Sequence, residues 1–193
     1  MKLIFFTSNP EKLQEAQVTL AQFGMQVIGQ DFSFIEPREG TLEEIAEYKL
    51  GQINNLSDAP YFVDDSGIFF TAYPNFPGIL SKKIFNLIGY RGINKLLLNE
   101  DRTAAFQGVT ALKYQGKIKM FKGTTKGRII TDFPSELPND LRFPFDPVFI
   151  PDGAEQVLAK LPKLERIGFS YRKRALEEMG EWLKAQEQNY SKN

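Results

Sequence analysis

Apolar positions in the first sixty residues follow two periods, which predict strands and helices in turn. Lys2 to Phe6 is an almost continuous apolar run, typical of a buried strand. The apolar positions then recur every three or four residues up to Gly24, which predicts a helix that begins near Pro10. Met25 to Ile28 predicts a second strand. Thr41 begins a second helix, whose predicted inner face includes Leu42, Ile45 and Tyr48.

The middle of the chain is strongly apolar but contains two adjacent acids. Tyr61 to Ala72 predicts a strand that is interrupted by Asp64-Asp65-Ser66-Gly67. A turn-rich loop follows from Tyr73 to Gly78. Two short helices are predicted over Leu80–Ile88 and Gly92–Leu98.

The pattern changes after residue 104, where the sequence predicts a meander of strands with turns at 115–116 and 124–126. Its three predicted strands are Ala105–Tyr114, Lys117–Gly123 and Gly127–Asp132. A final helix is predicted from Tyr171 to Ala185. The polar residues 186–193 then form a tail that we expect to fray.

The order of these elements predicts a mixed α/β fold, because helices separate the early strands and antiparallel strands follow later. The 193 residues suit a single domain, residues 1–193, which can be built of two lobes. No apolar run approaches the roughly 20 residues that span a bilayer. The N-terminal apolar stretch is too short for a signal peptide. We therefore expect a cytoplasmic protein that has no membrane partner.

Composition excludes several classes of chemistry. Lys and Arg number 24 and so do Asp and Glu, so the net charge gives no sign of a nucleic-acid partner. The chain has no Cys and no His, which excludes disulfides, thiol nucleophiles, Cys/His zinc sites and Ser-His-Asp triads. Any metal must bind oxygen ligands, which favours Mg²⁺, Mn²⁺ or Ca²⁺.

The first candidate site is Thr7-Ser8-Asn9-Pro10-Glu11-Lys12, at the predicted strand-to-helix junction. Asn9 is a good N-cap and Pro10 a good first helical residue, so free backbone N–H groups converge where an anion such as phosphate can bind. Lys12 opposes the helix dipole, which makes sense if an anion lies between them. The alternative is an ordinary cap beside a solvated lysine.

The second candidate is Asp64-Asp65-Ser66-Gly67, which six apolar residues flank. Carboxylates in an apolar strand are costly unless they are neutralised. Neighbouring strand residues point to opposite faces, so one acid is expected at a reaction site and the other on a structural partner. The alternative is an edge bulge with solvated acids. Glu36, just after the second strand, is a candidate second ligand for a divalent cation, or else an ordinary loop residue.

The third candidate is basic and aromatic and lies towards the C-terminus. Arg and Phe side chains beside Asp146 can stack on and hydrogen-bond a nucleobase. The alternative is a Pro-constrained core loop followed by a charged helix start. The cluster consists of Arg142, Phe143, Phe145, Asp146, Arg166 and the segment Tyr171-Arg172-Lys173-Arg174.

Five of these pieces, in order, resemble motifs of the inosine triphosphate pyrophosphatase family. No single piece is specific, but their order and spacing together are strongly so, and they extend over nearly the whole chain. The matching segments are Thr7–Lys12, Asp64–Gly67, Pro77–Ser81, Phe143–Phe149 and Arg166 with Tyr171–Leu176.

The resemblance implies an elongated two-lobed α/β fold, a mixed sheet with flanking helices, a cleft between the lobes, and a homodimer. It implies Mg²⁺-dependent hydrolysis of non-canonical purine nucleoside triphosphates (ITP, XTP, dITP) to the monophosphate and pyrophosphate, with Mn²⁺ as the alternative metal. Such an enzyme removes these nucleotides from the nucleotide pool.

The resemblance also assigns roles to residues of this chain. Asn9 and Lys12 would hold the triphosphate in a turn shaped by Thr7 and Ser8. Glu36 and Asp65 would bind the metal, and Asp65 would activate the attacking water. The substrate would also contact Ser66, Phe143, Phe145, Asp146, Arg166, Tyr171 and Arg172.

The chain departs from the family only on the base-recognition side. Arg142-Phe143-Pro144 replaces G-F-G, Arg166 replaces a Lys, and Tyr171 replaces the His that helps to read the purine 6-oxo group. Two alternatives therefore stay open: a nucleotide-binding protein with altered specificity or little activity, and a Maf-like pyrophosphatase for other modified nucleotides.

Overall fold

The computed structural model describes residues 1–54, 59–136 and 143–190; residues 189 and 190 are described by their backbone alone. The protein has a mixed α/β fold, as the sequence predicts, with a seven-stranded mixed sheet and flanking helices. Strand order along the sheet is β2-β1-β3-β5-β6-β7, and β4 pairs with β3. The strands are β1 (Lys2–Phe6), β2 (Gln26–Gln30), β3 (Tyr61–Phe70), β4 (Pro77–Gly78), β5 (Thr103–Tyr114), β6 (Lys117–Ile129) and β7 (Phe149–Pro151).

Five α-helices and one 3₁₀ turn, Leu158–Lys160, complete the described part of the chain. The helices are α1 (Pro10–Ala21), α2 (Leu42–Gly51), α3 (Ser81–Leu96), α4 (Lys163–Gly168) and α5 (Tyr171–Tyr190). Gly89 has a φ of 58° and breaks α3 into two pieces, where the sequence predicts two short helices. None of the described helices is both long enough and apolar enough to cross a membrane.

The chain divides into two compact units. Unit 1 is formed by Met1–Asp65, Gly108–Gly123 and the chain from Tyr171 onward, and unit 2 by Ser66–Gln107 and Thr124–Ser170. Strands β3, β5 and β6 contribute residues to both units.

The core of unit 1 forms around β1, which pairs in parallel with β2 and with β3. The rings of Phe5 and Phe62 stack with centroids 4.3 Å apart, and both side chains are fully buried. Helices α1 and α5 pack on each other through Ala16 and Leu20 from α1 and Met179 from α5. This packing places the first turns of both helices beside the acid-containing part of β3.

The core of unit 2 is largely aromatic. The rings of Phe106 and Phe149 meet edge to face at 4.6 Å, and Phe145 contacts Phe70 and Phe85 at 6.0 Å. These edge-to-face contacts are a preferred geometry for aromatic pairs, because the positive ring edge meets the negative face.

One predicted turn of the meander is wrong. β6 continues through Thr124–Lys126, where a turn was expected, because Phe121, Thr125 and Ile129 keep alternate positions buried along the whole strand. The turn at Gln115–Gly116 is present, with positive φ at both residues.

In α2, Tyr48 is 49% exposed rather than on the inner face, and Lys49 is buried instead. The last helix continues through residues 186–190, which were expected to fray, while residues 191–193 lie outside the described residues.

We expect Gly123→Ala to destabilise the protein by about 1–3 kcal/mol, the usual cost of overpacking. A Cβ at Gly123 would fall on the carbonyl oxygen of Tyr171, so β6 and the start of α5 would have to separate. Urea denaturation measures the free energy of unfolding. Gly51→Ala is the matched control, because a Cβ there meets no heavy atom within 4 Å. Equal stability of the two variants would contradict this packing.

Candidate functional site

The junction between β1 and α1 forms the first part of the candidate site. The side-chain oxygen of Asn9 accepts hydrogen bonds from the backbone N–H groups of Glu11 (2.9 Å) and Lys12 (3.2 Å), and Thr7 Oγ1 accepts one from the Asn9 N–H (3.1 Å). These bonds occupy backbone N–H groups that were expected to be free for an anion, so the first turn offers an anion only its helix dipole and the open space beside it. This cavity of about 280 Å³ is lined by Thr7, Ser8, Asn9, Pro10, Leu13, Gly29 and Asp31.

Asp64 is the buried centre of the second part, with a side chain that is 5% exposed. Lys12 Nζ donates to its Oδ1 at 2.9 Å, and Arg172 Nε donates to its Oδ2 at 2.7 Å. Burial alone would raise the pKa of Asp64, but the charges of Lys12 and Arg172 outweigh it and hold that pKa well below its usual range. Asp64 is therefore a permanent anion that orders two cations.

Arg172 is held inside unit 1 by three of its own donors. Besides Asp64, its Nη1 donates to Glu15 Oε2 at 2.8 Å and its Nη2 donates to the hydroxyl oxygen of Tyr171 at 2.9 Å. Arg172 is only 9% exposed. The expected contact of Arg172 with the base or the phosphates stays a prediction; in this structure its guanidinium is the partner of two carboxylates.

Lys49 joins the other two predicted carboxylates. Its Nζ lies 2.7 Å from Glu36 Oε1 and 2.7 Å from Asp65 Oδ1, and its side chain is 6% exposed. Burial alone would lower the pKa of Lys49, but the charges and hydrogen bonds of Asp65 and Glu36 reverse this effect and raise it. Lys49 is therefore a buried, charged ammonium.

Asp65 differs from its neighbour Asp64 in its ion-pair partner and in the direction of its pKa shift. Strand alternation separates the two side chains: Asp64 binds cations from α1 and α5, whereas Asp65 binds the lysine of α2. Burial raises the pKa of Asp65 above its ordinary value although Lys49 opposes this. The side chain is 15% exposed, against 5% for Asp64, so Asp65 is the more accessible acid.

The donors around Lys49 fit a hard divalent cation. Glu36 and Asp65 present carboxylate oxygens to one shared positive charge, here the ammonium. Within residues 1–54, 59–136 and 143–190 there is no group of three or more Asp, Glu, His or Cys side chains arranged to hold a metal. Two carboxylates are an ordinary protein contribution for Mg²⁺, which commonly takes its other ligands from water and substrate phosphates.

Sequence reasoning missed Lys49 and Glu15. Lys49 follows Ile45 by four residues and precedes Leu50, so it lies on the apolar face of α2. A lysine on a buried helix face is rarely left without an ion-pair partner. Its position in the sequence could therefore have indicated a buried ion pair. Glu15 follows Lys12 by three residues on α1, which places both on one helix face. Its partner, Arg172, is 157 positions away, and no local pattern connects the two.

The aromatic candidates lie in unit 2. Phe143 is half-buried, and its ring centroid lies 5.2 Å from that of Phe106 and 5.9 Å from that of Phe145. Phe145 is fully buried, and its expected place in the lining of a base pocket stays a prediction.

The remaining predicted residues are only partly buried. Asp146 accepts the backbone N–H of Ala159 through its carbonyl oxygen at 3.0 Å, and Arg166 lies in the short helix α4. Ser66 follows Asp65 in β3. Tyr171 begins α5, and its ring lies against Gly108, where a Cβ would come within 2.5 Å of the ring. Arg142 lies outside the described residues.

Comparison with known proteins gives one consistent result. The sequence model of the Ham1 family matches residues 3–182. A dITP/XTP pyrophosphatase of Thermococcus kodakarensis is 40% identical over 185 residues, which are 95% of this chain and 98% of that protein. An inosine triphosphate pyrophosphatase of Fusarium vanettenii is 32% identical over 96% of this chain and 98% of that protein.

A solved structure has the same fold. The Ham1 protein of Staphylococcus aureus superposes with a TM-score of 0.72 at 24% sequence identity, and the match covers 96% of this chain and 100% of that one.

We expect Asp64→Asn to lower the free energy of unfolding by about 3–5 kcal/mol, because it leaves two buried cations without their shared anion. Urea denaturation at neutral pH measures the loss. Asp132→Asn, at an exposed position, is the control and should change stability by no more than about 0.5 kcal/mol. A loss for Asp64→Asn as small as that of the control would show that the network contributes little to the fold.

Proposed function

The chain belongs to the Ham1 family, and we propose that it hydrolyses non-canonical purine nucleoside triphosphates, namely ITP, XTP and dITP, to the monophosphate and pyrophosphate. Support comes from relatives that are dITP/XTP and inosine triphosphate pyrophosphatases. The chain matches these relatives over nearly their whole length. In this role the protein clears such nucleotides from the pool before they reach nucleic acid.

One observation of the geometry carries the proposal. Two lysines, Lys12 and Lys49, are each held by an aspartate of the same short stretch of β3. Lys12 also lies in the first turn of a helix whose backbone N–H groups are capped at Asn9. Hydrolysis of a triphosphate requires cations directed at the leaving phosphates and a carboxylate near the attacked phosphorus, and this arrangement supplies both kinds of group.

The phosphate-binding groups divide between two structural elements. The first turn of α1 offers its dipole and the Lys12 ammonium, whose side chain is 23% exposed. A lysine has three N–H donors, so Lys12 can keep its bond to Asp64 and still donate to a phosphate oxygen. We propose that Thr7 and Ser8 shape this turn and that Ser66, beside Asp65, contacts the substrate.

We further propose that Glu36 and Asp65 hold Mg²⁺, or Mn²⁺ in its place. When bound there, a divalent cation supplies electrophilic stabilisation of charge on the phosphate oxygens. The Lys49 ammonium, which pairs with both carboxylates in this structure, would then be available to the polyphosphate chain. Asp65, the more accessible of the two acids, is the group that orients the attacking water and accepts its proton.

Base selection is assigned to a group of residues that includes two departures from the family pattern, Arg166 and Tyr171. We propose that Phe143 offers an aromatic face, that Asp146 and Arg166 offer polar groups, and that Tyr171 stands in place of the usual His. The Tyr171 oxygen accepts a hydrogen bond from Arg172.

The proposal includes a setting for the protein. We propose that it works in the cytoplasm, where the nucleotide pool is, and that it acts as a homodimer. Two exposed apolar side chains on α3, Leu87 (69% exposed) and Ile88 (40%), are compatible with self-association.

Pyrophosphate release from a panel of nucleoside triphosphates tests the function. We expect turnover of dITP, ITP and XTP to exceed that of dATP, ATP and dGTP by at least about 100-fold in kcat/KM, because sites that pair a polar group of the base discriminate strongly. We expect turnover to stop when EDTA removes the metal and to return with Mg²⁺. Binding without turnover of any nucleotide would favour the nucleotide-binding alternative. Preference for modified pyrimidines would favour the Maf-like alternative.

Asp65→Asn tests the assignment of the reacting carboxylate. We expect kcat for dITP to fall by at least about 100-fold, the low end for loss of a general base, while the far-UV circular dichroism spectrum stays unchanged. Asp132→Asn carries the same chemical change at an exposed position and should keep full activity. Near-normal kcat in Asp65→Asn would remove Asp65 from its proposed role.

A further inference from the structure

Four side chains of unit 1 form a series of ion pairs in which positive and negative charges alternate. The series begins and ends on α1. Lys12 binds Asp64, Asp64 binds Arg172, and Arg172 binds Glu15, with donor-to-acceptor distances of 2.9, 2.7 and 2.8 Å. Lys12 and Glu15 are three residues apart on one helix face. The two cations and two anions neutralise each other, although all four are largely or partly buried.

Within this series, Arg172 is the side chain whose orientation is fixed by its hydrogen bonds. Its guanidinium is planar, and three of its nitrogens donate to three different acceptors, namely Asp64, Glu15 and Tyr171. This arrangement leaves only one Asp64 oxygen, Oδ2, to Arg172 and the other, Oδ1, to Lys12. The position of the Lys12 ammonium therefore depends on which way the Arg172 plane is turned.

Glu15 lies on α1 and helps to fix the orientation of the Arg172 guanidinium. Its side chain is 14% exposed, and its Oε2 accepts from the far end of the guanidinium, Nη1. Without that acceptor, Nη1 would be a buried donor in need of a partner, and a guanidinium that turned to pair with both oxygens of one carboxylate would compete with Lys12 for the second oxygen of Asp64. Arg172 would then take both Asp64 oxygens, and Lys12 would lose its anchor.

We propose that Glu15 is a positioning residue for triphosphate binding: through Arg172 and Asp64 it holds the Lys12 ammonium where it meets the polyphosphate. The inference rests on the proposed function for the identity of the natural ligand. A lysine that is already held in place loses less conformational entropy when the anion binds. Its positioning therefore increases the affinity for the anion.

Simple electrostatics predicts the opposite sign, and this makes the inference testable. Glu15 is an anion close to a site for anions, so removing its charge should tighten polyphosphate binding if proximity were all that mattered. A positioning role predicts weaker binding after the same change. The two explanations therefore predict changes of opposite sign in polyphosphate affinity.

Isothermal titration calorimetry with inorganic tripolyphosphate measures the effect without any turnover. We expect Glu15→Gln to weaken binding by about tenfold, as for other residues that orient a ligand-binding group through a neighbour. Glu15→Asp keeps the charge but shortens the side chain, and it should weaken binding in the same direction. Glu178→Gln, at an exposed position on α5, removes one negative charge and should leave the affinity unchanged within about twofold.

A double-mutant cycle shows whether Glu15 acts through Lys12. In a Lys12→Met background, Glu15→Gln should cause no further loss of tripolyphosphate affinity. Unchanged or tighter binding in Glu15→Gln, an equal loss in both backgrounds, or no tripolyphosphate binding by the unsubstituted protein would each overturn the inference. Absence of dITP turnover in the unsubstituted protein, with tripolyphosphate bound, would instead count against the proposed function alone.

Discussion

The candidate site depends on the neutralisation of one buried carboxylate. Asp64 is held away from water in the middle of an apolar strand, where an unpaired charge would cost several kcal/mol. Lys12 and Arg172 neutralise it from two different helices, and α1 and α5 must pack together for both to reach it. The requirement that stabilises this part of the fold therefore also fixes the position of the Lys12 ammonium, the group that the proposed function assigns to the polyphosphate.

Strand geometry turns one pair of adjacent acids into two groups with different chemistry. Successive residues of β3 point to opposite faces, so Asp64 binds α1 and α5 while Asp65 binds Lys49 of α2. Two positive partners keep the pKa of Asp64 low, whereas burial with a single lysine leaves the pKa of Asp65 raised. One acid thus serves as a permanent structural anion. The other remains the accessible group for metal binding and proton transfer in the proposed reaction.

The absence of histidine is compatible with this division of roles. Hydrolysis of a phosphoric anhydride can proceed with oxygen ligands, ammonium groups and a carboxylate, and none of these requires an imidazole. In the resemblance to the inosine triphosphate pyrophosphatase family, the missing histidine falls at Tyr171, which in this structure accepts a hydrogen bond from Arg172. The phenol and the guanidinium are therefore parts of one network, and base selection in the proposed function is coupled to the network that orders Lys12.

Local patterns determined most elements and the chemical character of the site. Apolar runs, capping residues and the acids of β3 are properties of neighbouring positions, so β1, α1 and the Asp64–Asp65 pair were predictable from the sequence alone. Only the tertiary structure decided the partners. It paired Arg172 with Asp64 and Glu15, placed Phe145 in the core, and paired Lys49 with Glu36 and Asp65. The physical reason is that an ion pair between residues far apart in sequence leaves no periodic trace, because its energy depends on the distance and burial that folding creates.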